Sequence, residues 1–166
     1  MEAEGYKALG NRVRWHWEAV TPETQKVLKV LSSHKTITSQ FYLAGGTALG
    51  LRHGHRISRD LDLFSQSNTL DVGERGRVLS ELSRLSQVSI QEEKEGTLHV
   101  ILFKIHLSFF HYPYPLVRPG NRWKGVLVAA NEDIGLMKIA AIIGRGLARD
   151  FVDLYFICQE IPLDTL

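Results

Sequence analysis

Cysteine is nearly absent from the sequence, since Cys158 is the only one among 166 residues. A single cysteine excludes an intramolecular disulfide and any zinc site built from several cysteines. A strong charge of one sign is also missing, because 20 Lys and Arg against 18 Asp and Glu give a formal net charge of +2. That balance is too small to predict a nucleic-acid partner by itself.

Long apolar runs are lacking as well. No window approaches the roughly 18 apolar residues that cross a bilayer, and the first ten residues, MEAEGYKALG, have no apolar core of signal-peptide length. From these absences we expect a cytoplasmic protein with no membrane partner. The 44% of hydrophobic and 23% of charged residues are typical of a globular domain.

Hydrophobic periodicity predicts the order helix, strand, helix, strand, helix, three or four strands, two helices. The predicted helices lie near 21–34, 47–52, 71–85, 132–146 and 148–159, and the strands are FYLAG, LDLF, VSIQEE, TLHVILF, KIHLSFFHY and GVLVAA. This order predicts an α/β (α+β) fold in which a mixed sheet is flanked by helices, with the acids of LDLF on the face away from the helices. We expect one structural domain: an N-terminal helical segment (1–40), a core (41–128) and C-terminal helices (129–166). Whether Trp15 and Trp17 lie in a helix or a strand stays open.

A glycine pair ends the first predicted strand, in the stretch FYLAGGTALGLRHGHRISRDLDLF at 41–64. Gly45 and Gly46 permit a positive φ and a close approach of backbone to a ligand. The helix that follows begins with free N–H groups and the hydroxyl of Thr47, which together favour an anion. Taken alone, the pair is equally typical of a tight turn.

Two aspartates, Asp60 and Asp62, alternate with leucines before Phe64. The strand period places their carboxylates on one face, about 6.5–7 Å apart. Carboxylates in that arrangement bind hard divalent cations such as Mg²⁺ or Mn²⁺, although charged residues also protect an edge strand from aggregation. Beside the glycine turn they favour a nucleoside triphosphate, whose phosphates a metal ion bridges.

At this point the sequence resembles a known family. GGTAL followed by HRISRDLDLF, then PYPL, DIGLMK, and Arg149-Asp150 with Asp153-Leu154 are similar to the AbiEii-like nucleotidyltransferase toxins, within the DNA polymerase β-like nucleotidyltransferase superfamily. The resemblance runs from about Phe41 to Phe156. It implies the polymerase β-like fold, a Mg²⁺-dependent transfer of a nucleotide from an NTP to a hydroxyl of RNA, tRNA or protein, and a cognate antitoxin.

The resemblance also implies roles for individual residues. Asp60 and Asp62 would hold the metal, and Lys138 would contact the triphosphate as a point charge. Asp150 would complete the catalytic set as a base or an organiser. The other implied nucleotide-binding residues are Gly45, Gly46, Thr47, Arg56 and Ser58.

One departure from the superfamily pattern concerns a third carboxylate that many of its members carry on a later strand. The equivalent strand here is KIHLSFF, in which His106 and Ser108 share a face and neither is an acid. This departure leaves open a second hypothesis, a catalytically degenerate module that binds a nucleotide or a protein. The preferred nucleotide, the acceptor and the oligomeric state stay open as well.

Several other residues have more than one interpretation. His55 is a candidate to cover the nucleotide, and Lys138 without the family pattern is typical of a solvated helix lysine. Asp153 is a weaker candidate than Asp150. Six basic residues are candidates for a local RNA-binding patch: Arg12, Arg14, Lys26, Lys29, Arg52 and Arg56.

Overall fold

A computed structural model describes residues 13–166. Its helices are α1 (Pro22–Ser32), α2 (Lys35–Thr38), α3 (Gly45–His53), α4 (Val72–Ser83), α5 (Asn131–Gly144) and α6 (Ala148–Cys158). Its strands are β1 (Tyr42–Ala44), β2 (Leu61–Ser65), β3 (Val88–Lys94), β4 (Thr97–Leu102), β5 (Ile105–His111), β6 (Asn121–Trp123) and β7 (Val126–Val128). Short 3₁₀ helices occupy Trp17–Ala19 and Leu163–Thr165.

The seven strands form one sheet in the order β3-β4-β5-β2-β1-β7-β6. The pairs β2–β5 and β1–β7 are parallel, whereas β1–β2, β3–β4, β4–β5 and β6–β7 are antiparallel. The sheet is therefore mixed, as the sequence predicted. The strands β1, β2 and β5 at its centre carry fully buried side chains such as Leu43, Leu61 and Phe109.

The loop between α3 and β2 is held by the beginning of the described chain. Thr21 caps α1, because its side chain accepts a hydrogen bond from the Thr24 backbone N–H. The Thr24 hydroxyl in turn donates to the carbonyl oxygen of Arg59 over 2.6 Å. The Ser58 N–H donates to the Ala19 carbonyl oxygen over 2.8 Å. These bonds fix the backbone just before Asp60.

Strands β3, β4 and β5 form two consecutive hairpins. The second turn falls at Phe103 and Lys104, between β4 and β5. Both residues have positive φ, 50° and 66°, which is the geometry of a tight hairpin turn. Strand β6 was not predicted, because it follows a segment in which three prolines break regular structure. No helix within residues 13–166 is long and apolar enough to cross a membrane.

Candidate functional site

The turn from β1 into α3 brings the chain against a carboxylate and a guanidinium. Gly45 has φ +63°, and a Cβ added there would lie 2.3 Å from Asp62 Oδ2. A Cβ added at Gly46 would lie 2.2 Å from Arg56 Nη2. The glycine pair therefore allows the first turn of α3 to pack directly on Asp62 and Arg56, which any larger residue would displace.

This close approach predicts that Gly45→Ala destabilises the protein. We expect a loss of about 1–3 kcal/mol in the free energy of unfolding, because alanine is strained at positive φ and would press on Asp62. The matched control is Gly76→Ala in the exposed interior of α4, where an added Cβ meets no atom within 4 Å. That change should stabilise by about 0.5–1 kcal/mol. Urea unfolding of both variants measures the difference, and equal midpoints would contradict the argument.

Asp60 and Asp62 line one side of a polar cavity of about 360 Å³. Asp60 is exposed just before β2, and Asp62 lies within β2 beside Ala44 of β1. Burial, and then the negative charge of Asp60, raise the pKa of Asp62 above its ordinary value. Two close carboxylates, one of them desolvated, are an arrangement that a bound cation would relieve.

The opposite side of this cavity is formed by α5 and α6. The residues that line it besides the two aspartates are Gly46, Arg56, Ser58, His106, Ser108, Phe110, Lys138, Arg145 and Arg149. The prediction that the acids lie on the face away from the helices is therefore wrong for these two helices. The hydrophobic pattern of α5 and α6 shows which face is buried, but it does not show on which side of the sheet they pack.

Lys138 lies at the centre of a buried ion cluster. Its side chain is 7% exposed, and its Nζ lies 2.9 Å from Asp150 Oδ1 and 2.7 Å from Asp153 Oδ2. Arg145 forms a bidentate contact with Asp150, in which Nε and Nη2 each donate to a carboxylate oxygen over 2.9 Å. The interpretation of Lys138 as a solvated lysine is wrong, because the side chain crosses from α5 to α6 and is held there by two carboxylates.

The paired cations fix the charge of Asp150. Hydrogen bonds from Arg145, and then from Lys138, lower its pKa to about 2 against the opposing effect of burial. A carboxylate of such low basicity, with both oxygens engaged, is poorly suited to remove a proton from an acceptor hydroxyl. Of the two roles expected for Asp150, the geometry favours the organiser, which holds Lys138 and Arg145 at the cavity.

Asp153 was the weaker candidate in the sequence, yet it makes more contacts than Asp150. It accepts from Arg56 Nε and Nη2 over 2.7 and 2.8 Å and lies 2.7 Å from His55 Nε2. Burial alone would raise the pKa of Asp153, but hydrogen bonds from Arg56, His55 and Lys138 hold it well below its ordinary range. The His55 side chain is fully buried in this contact, so the idea that it covers the nucleotide is wrong.

Thr47 and Ser58 differ in their access to the cavity. The Thr47 hydroxyl is buried and lies within hydrogen-bonding distance of the Ser58 hydroxyl, 2.7 Å away, and of the Asp60 carbonyl oxygen. Thr47 thus braces the loop that carries Asp60, whereas Ser58 lines the cavity. Any contact of Thr47 with a ligand would be made by its backbone N–H at the beginning of α3.

An apolar cavity of about 310 Å³ adjoins the polar one and was missed in the sequence. Its aromatic residues are Phe64, Phe110 and Tyr112, and it shares Asp62, Phe110, Lys138 and Arg145 with the polar cavity. Phe64 and Phe110 are stacked with ring centroids 5.0 Å apart. The sequence does contain a signal for this cavity, the period-two alternation of Ser108, Phe110 and Tyr112. This alternation places all three side chains on the face of the sheet that carries Asp62.

Among the described residues, the members of the predicted basic patch that can be followed have different surroundings. Arg12 lies outside the described residues, and Arg56 is paired with Asp153. Arg52 donates to the carbonyl oxygens of Ala129 and Val128 and to Asn121. Two lysines of the predicted patch instead border a separate groove together with Lys124 and two tryptophans; its lining residues include Lys26, Lys29, Trp17 and Trp123.

The donor set of the polar cavity fits a hard divalent cation. Within residues 13–166 no group of three or more His, Cys, Asp or Glu side chains is arranged to hold a metal ion. Asp60 and Asp62 supply a pair of carboxylates at an open cavity, and a ligand's oxygen atoms would complete an oxygen coordination shell. The desolvation of Asp62 is the feature of the structure that favours a cation there.

The sequence matches one protein family model and a curated relative. Residues 27–166 match the model of the family described as nucleotidyl transferase AbiEii toxin, type IV TA system. An uncharacterized protein of Aquifex aeolicus (strain VF5), aq_aa25, is 39% identical over 127 residues, which are 75% of this chain. The chain spans 60% of that relative's length.

Solved structures share the fold at low sequence identity. ANT(2")-Ia in complex with adenylyl-2"-tobramycin has a TM-score of 0.57 at 14% identity, covering 87% of this chain and 92% of that one. JHP933 from Helicobacter pylori has a TM-score of 0.55 at 22% identity, over 83% of this chain and 66% of that one. The Megavirus polyadenylate synthase has a TM-score of 0.59 at 12% identity, over 90% of this chain and 34% of that one.

The solved structures establish the fold, which is that of the polymerase β-like nucleotidyltransferases. The family model covers most of the chain, including the glycine turn, Asp60, Asp62 and the buried ion cluster of α5 and α6. The chain therefore belongs to the AbiEii nucleotidyl transferase toxin family.

Proposed function

We propose that the protein transfers a nucleotide from a nucleoside triphosphate to an acceptor hydroxyl. The observation that carries the proposal is the shared cavity: Asp60 and Asp62 face Lys138, Arg145 and Arg149 across one polar space. Two carboxylates opposite three cationic side chains match the charges of a triphosphate that carries a divalent cation. The site is built for position and charge, which are the main requirements of phosphoryl chemistry.

Each part of the cavity has a distinct task in this proposal. Asp60 and Asp62 would hold Mg²⁺ or Mn²⁺, which would supply positive charge beside the phosphates. The backbone N–H groups at Gly45 and Gly46 contact phosphate oxygens at the beginning of α3. Lys138 and Arg149 attract the departing pyrophosphate, and Arg56 and Ser58 border its path. The aromatic cavity beside Phe110 accepts a flat ring such as the nucleobase.

The test is a transfer assay with triphosphates that carry label on the α- or the γ-phosphorus. With Mg²⁺ and total RNA or protein as acceptor, α-label should enter the acceptor and γ-label should leave as pyrophosphate. Addition of EDTA should stop both. Transfer of γ-label would show a kinase reaction, and an absence of transfer with every triphosphate and acceptor would contradict the proposal.

A second candidate function is nucleotide binding without turnover. It is favoured by one observation, that Ser108 and not an acid pairs with Asp62 across β2 and β5. Equilibrium binding of each triphosphate, measured by calorimetry with Mg²⁺, separates the two candidates. Tight binding together with failed transfer would favour the binding module.

Membership of the family further supports a role as the toxin of a toxin–antitoxin pair. We propose that RNA, with tRNA foremost, or a protein hydroxyl is the acceptor and that a cognate antitoxin restrains the activity. Induced expression should arrest bacterial growth, and the Asp60→Asn variant, which lacks one cation ligand, should not. Growth arrest by both proteins at equal expression would separate toxicity from nucleotide transfer.

A further inference from the structure

A row of polar residues crosses the sheet from the surface to the proposed metal site. Glu92 of β3 pairs with His99 of β4, His99 pairs with Ser108 of β5, and Ser108 pairs with Asp62 of β2. Directly paired residues project from the same face of a sheet. We call Glu92, His99, Ser108 and Asp62 the polar row.

The members of the polar row contact one another. His99 Nδ1 lies 2.9 Å from the Ser108 hydroxyl oxygen, and His99 Nε2 lies 3.4 Å from Glu92 Oε2. The contact to Glu92 favours a proton on Nε2, which leaves Nδ1 free to accept the Ser108 O–H. The lone pairs of the Ser108 oxygen are then free toward the cavity that Ser108 lines with Asp60 and Asp62.

The surroundings of His99 define its electrostatic setting. Glu92 faces it from β3 and is itself bonded to Lys94 over 2.7 Å. From β5 it meets Ser108 and the Phe110 ring, whose centroid lies 5.3 Å from that of the His99 ring. Its side chain is 30% exposed, so a proton that reaches the ring can pass to solvent.

On β5, where the family resemblance implies a third carboxylate, the chain has Ser108 instead, and both carboxylate oxygens of Asp150 are already paired with Lys138 and Arg145. We propose that Ser108 takes the proton of the acceptor hydroxyl and that His99 receives it through Ser108. Ser108 is the catalytic residue that touches the acceptor. His99 orients the Ser108 hydroxyl and accepts its proton, and Glu92 orients the His99 ring. This inference rests on the proposed nucleotide transfer.

The proposed step is balanced in protons and electrons. The acceptor O–H bond breaks, its proton passes to Ser108 Oγ, and the Ser108 proton passes to His99 Nδ1. The acceptor oxygen forms a bond to the α-phosphorus, and the bond from that phosphorus to pyrophosphate breaks with its electron pair. The imidazolium, stabilised by Glu92, then releases a proton to water.

The experiment is a pH–rate profile of nucleotide transfer for wild type, His99→Gln and Ser108→Ala. We expect kcat to fall about 10²-fold in each variant with KM for the triphosphate unchanged. The pH profile of kcat should differ between the wild type and His99→Gln, because the substitution removes the ring that accepts the proton. Ser108→Asp supplies the missing carboxylate, so in the His99→Gln background it should restore activity by about tenfold or more.

His106 is the competing base, because it lines the same cavity. If His106→Gln and not His99→Gln lowers kcat and changes its pH profile, the relay is overturned. An active wild type whose His99→Gln variant keeps the same kcat and pH profile overturns it as well. A wild type that transfers no nucleotide overturns the proposed function and the relay together, so the two failures are distinguishable.

Nitrogen NMR of the histidine rings gives a readout independent of turnover. In the wild type, His99 should be protonated on Nε2, with Nδ1 accepting a hydrogen bond, and Ser108→Ala should shift the Nδ1 resonance. A proton on Nδ1 of His99, or an Nδ1 resonance that Ser108→Ala leaves unchanged, would overturn the proposal.

Discussion

Asp62→Asn should reduce nucleotide transfer by at least about 10²–10³-fold without lowering the stability of the fold. The amide keeps the shape of the carboxylate but removes one of the two charges that hold the cation. The pKa of Asp62 is raised by burial and by Asp60. Its ionised form therefore costs folding energy, and the cost grows as the pH rises above the ordinary value. At pH 7 the neutral variant should unfold at the same temperature or a higher one.

Two measurements check this pair of effects. Transfer of α-label should be lost in Asp62→Asn and kept in Asp164→Asn, where the aspartate lies exposed in the last 3₁₀ helix. Thermal unfolding at pH 7 should give a midpoint for Asp62→Asn that is not below that of the wild type. Retained transfer would remove Asp62 from the site, and a much lower midpoint would mean that Asp62 is structural.

Asp153→Ala should have the opposite signature, a large loss of stability. Its removal leaves Arg56 and His55 without their carboxylate partner and Lys138 with Asp150 alone, and breaking a buried ion pair costs about 3–5 kcal/mol. For a domain of this size that loss lowers the unfolding midpoint by roughly 10 °C. Transfer should fall as well, because Lys138 and Arg56 lose the contact that positions them at the cavity. Asp164→Ala is the exposed control.

The ion cluster also predicts how the protein unfolds in acid. The pKa values of Asp150 and Asp153 are lowered in the fold, Asp150 to about 2 from an ordinary 3.8. Their pairing therefore stabilises fully above the ordinary value and is lost as the pH falls toward 2. The wild type should lose stability steeply between about pH 4 and pH 2, and Asp153→Ala should lose less. Parallel pH dependences of the two proteins would contradict this account.

The part of the site that is continuous in sequence could be predicted from local rules. Gly45 and Gly46 follow a short apolar strand, and Asp62 alternates with buried leucines. Local rules could therefore predict both the turn and the face of the strand on which Asp62 lies. Each of these features depends on neighbours within a few residues.

The parts that depend on distant packing could not be predicted in the same way. Lys138 has the sequence context of a solvated lysine, and only the contact between α5 and α6 buries it with Asp150 and Asp153. The contact between His99 and Ser108 depends on the register of β4 and β5, which one residue of slippage would reverse. The family pattern marked Lys138 and Asp150 but gave no geometry for their pairing.

The most direct test of the central claim is a crystal structure with a non-hydrolysable triphosphate and Mn²⁺, whose anomalous signal locates the cation. The account predicts a Mn²⁺ ion bound by Asp60 and Asp62, phosphates at the beginning of α3, and Lys138 and Arg149 beside them. A triphosphate bound elsewhere, or Mn²⁺ located away from both aspartates, would contradict it.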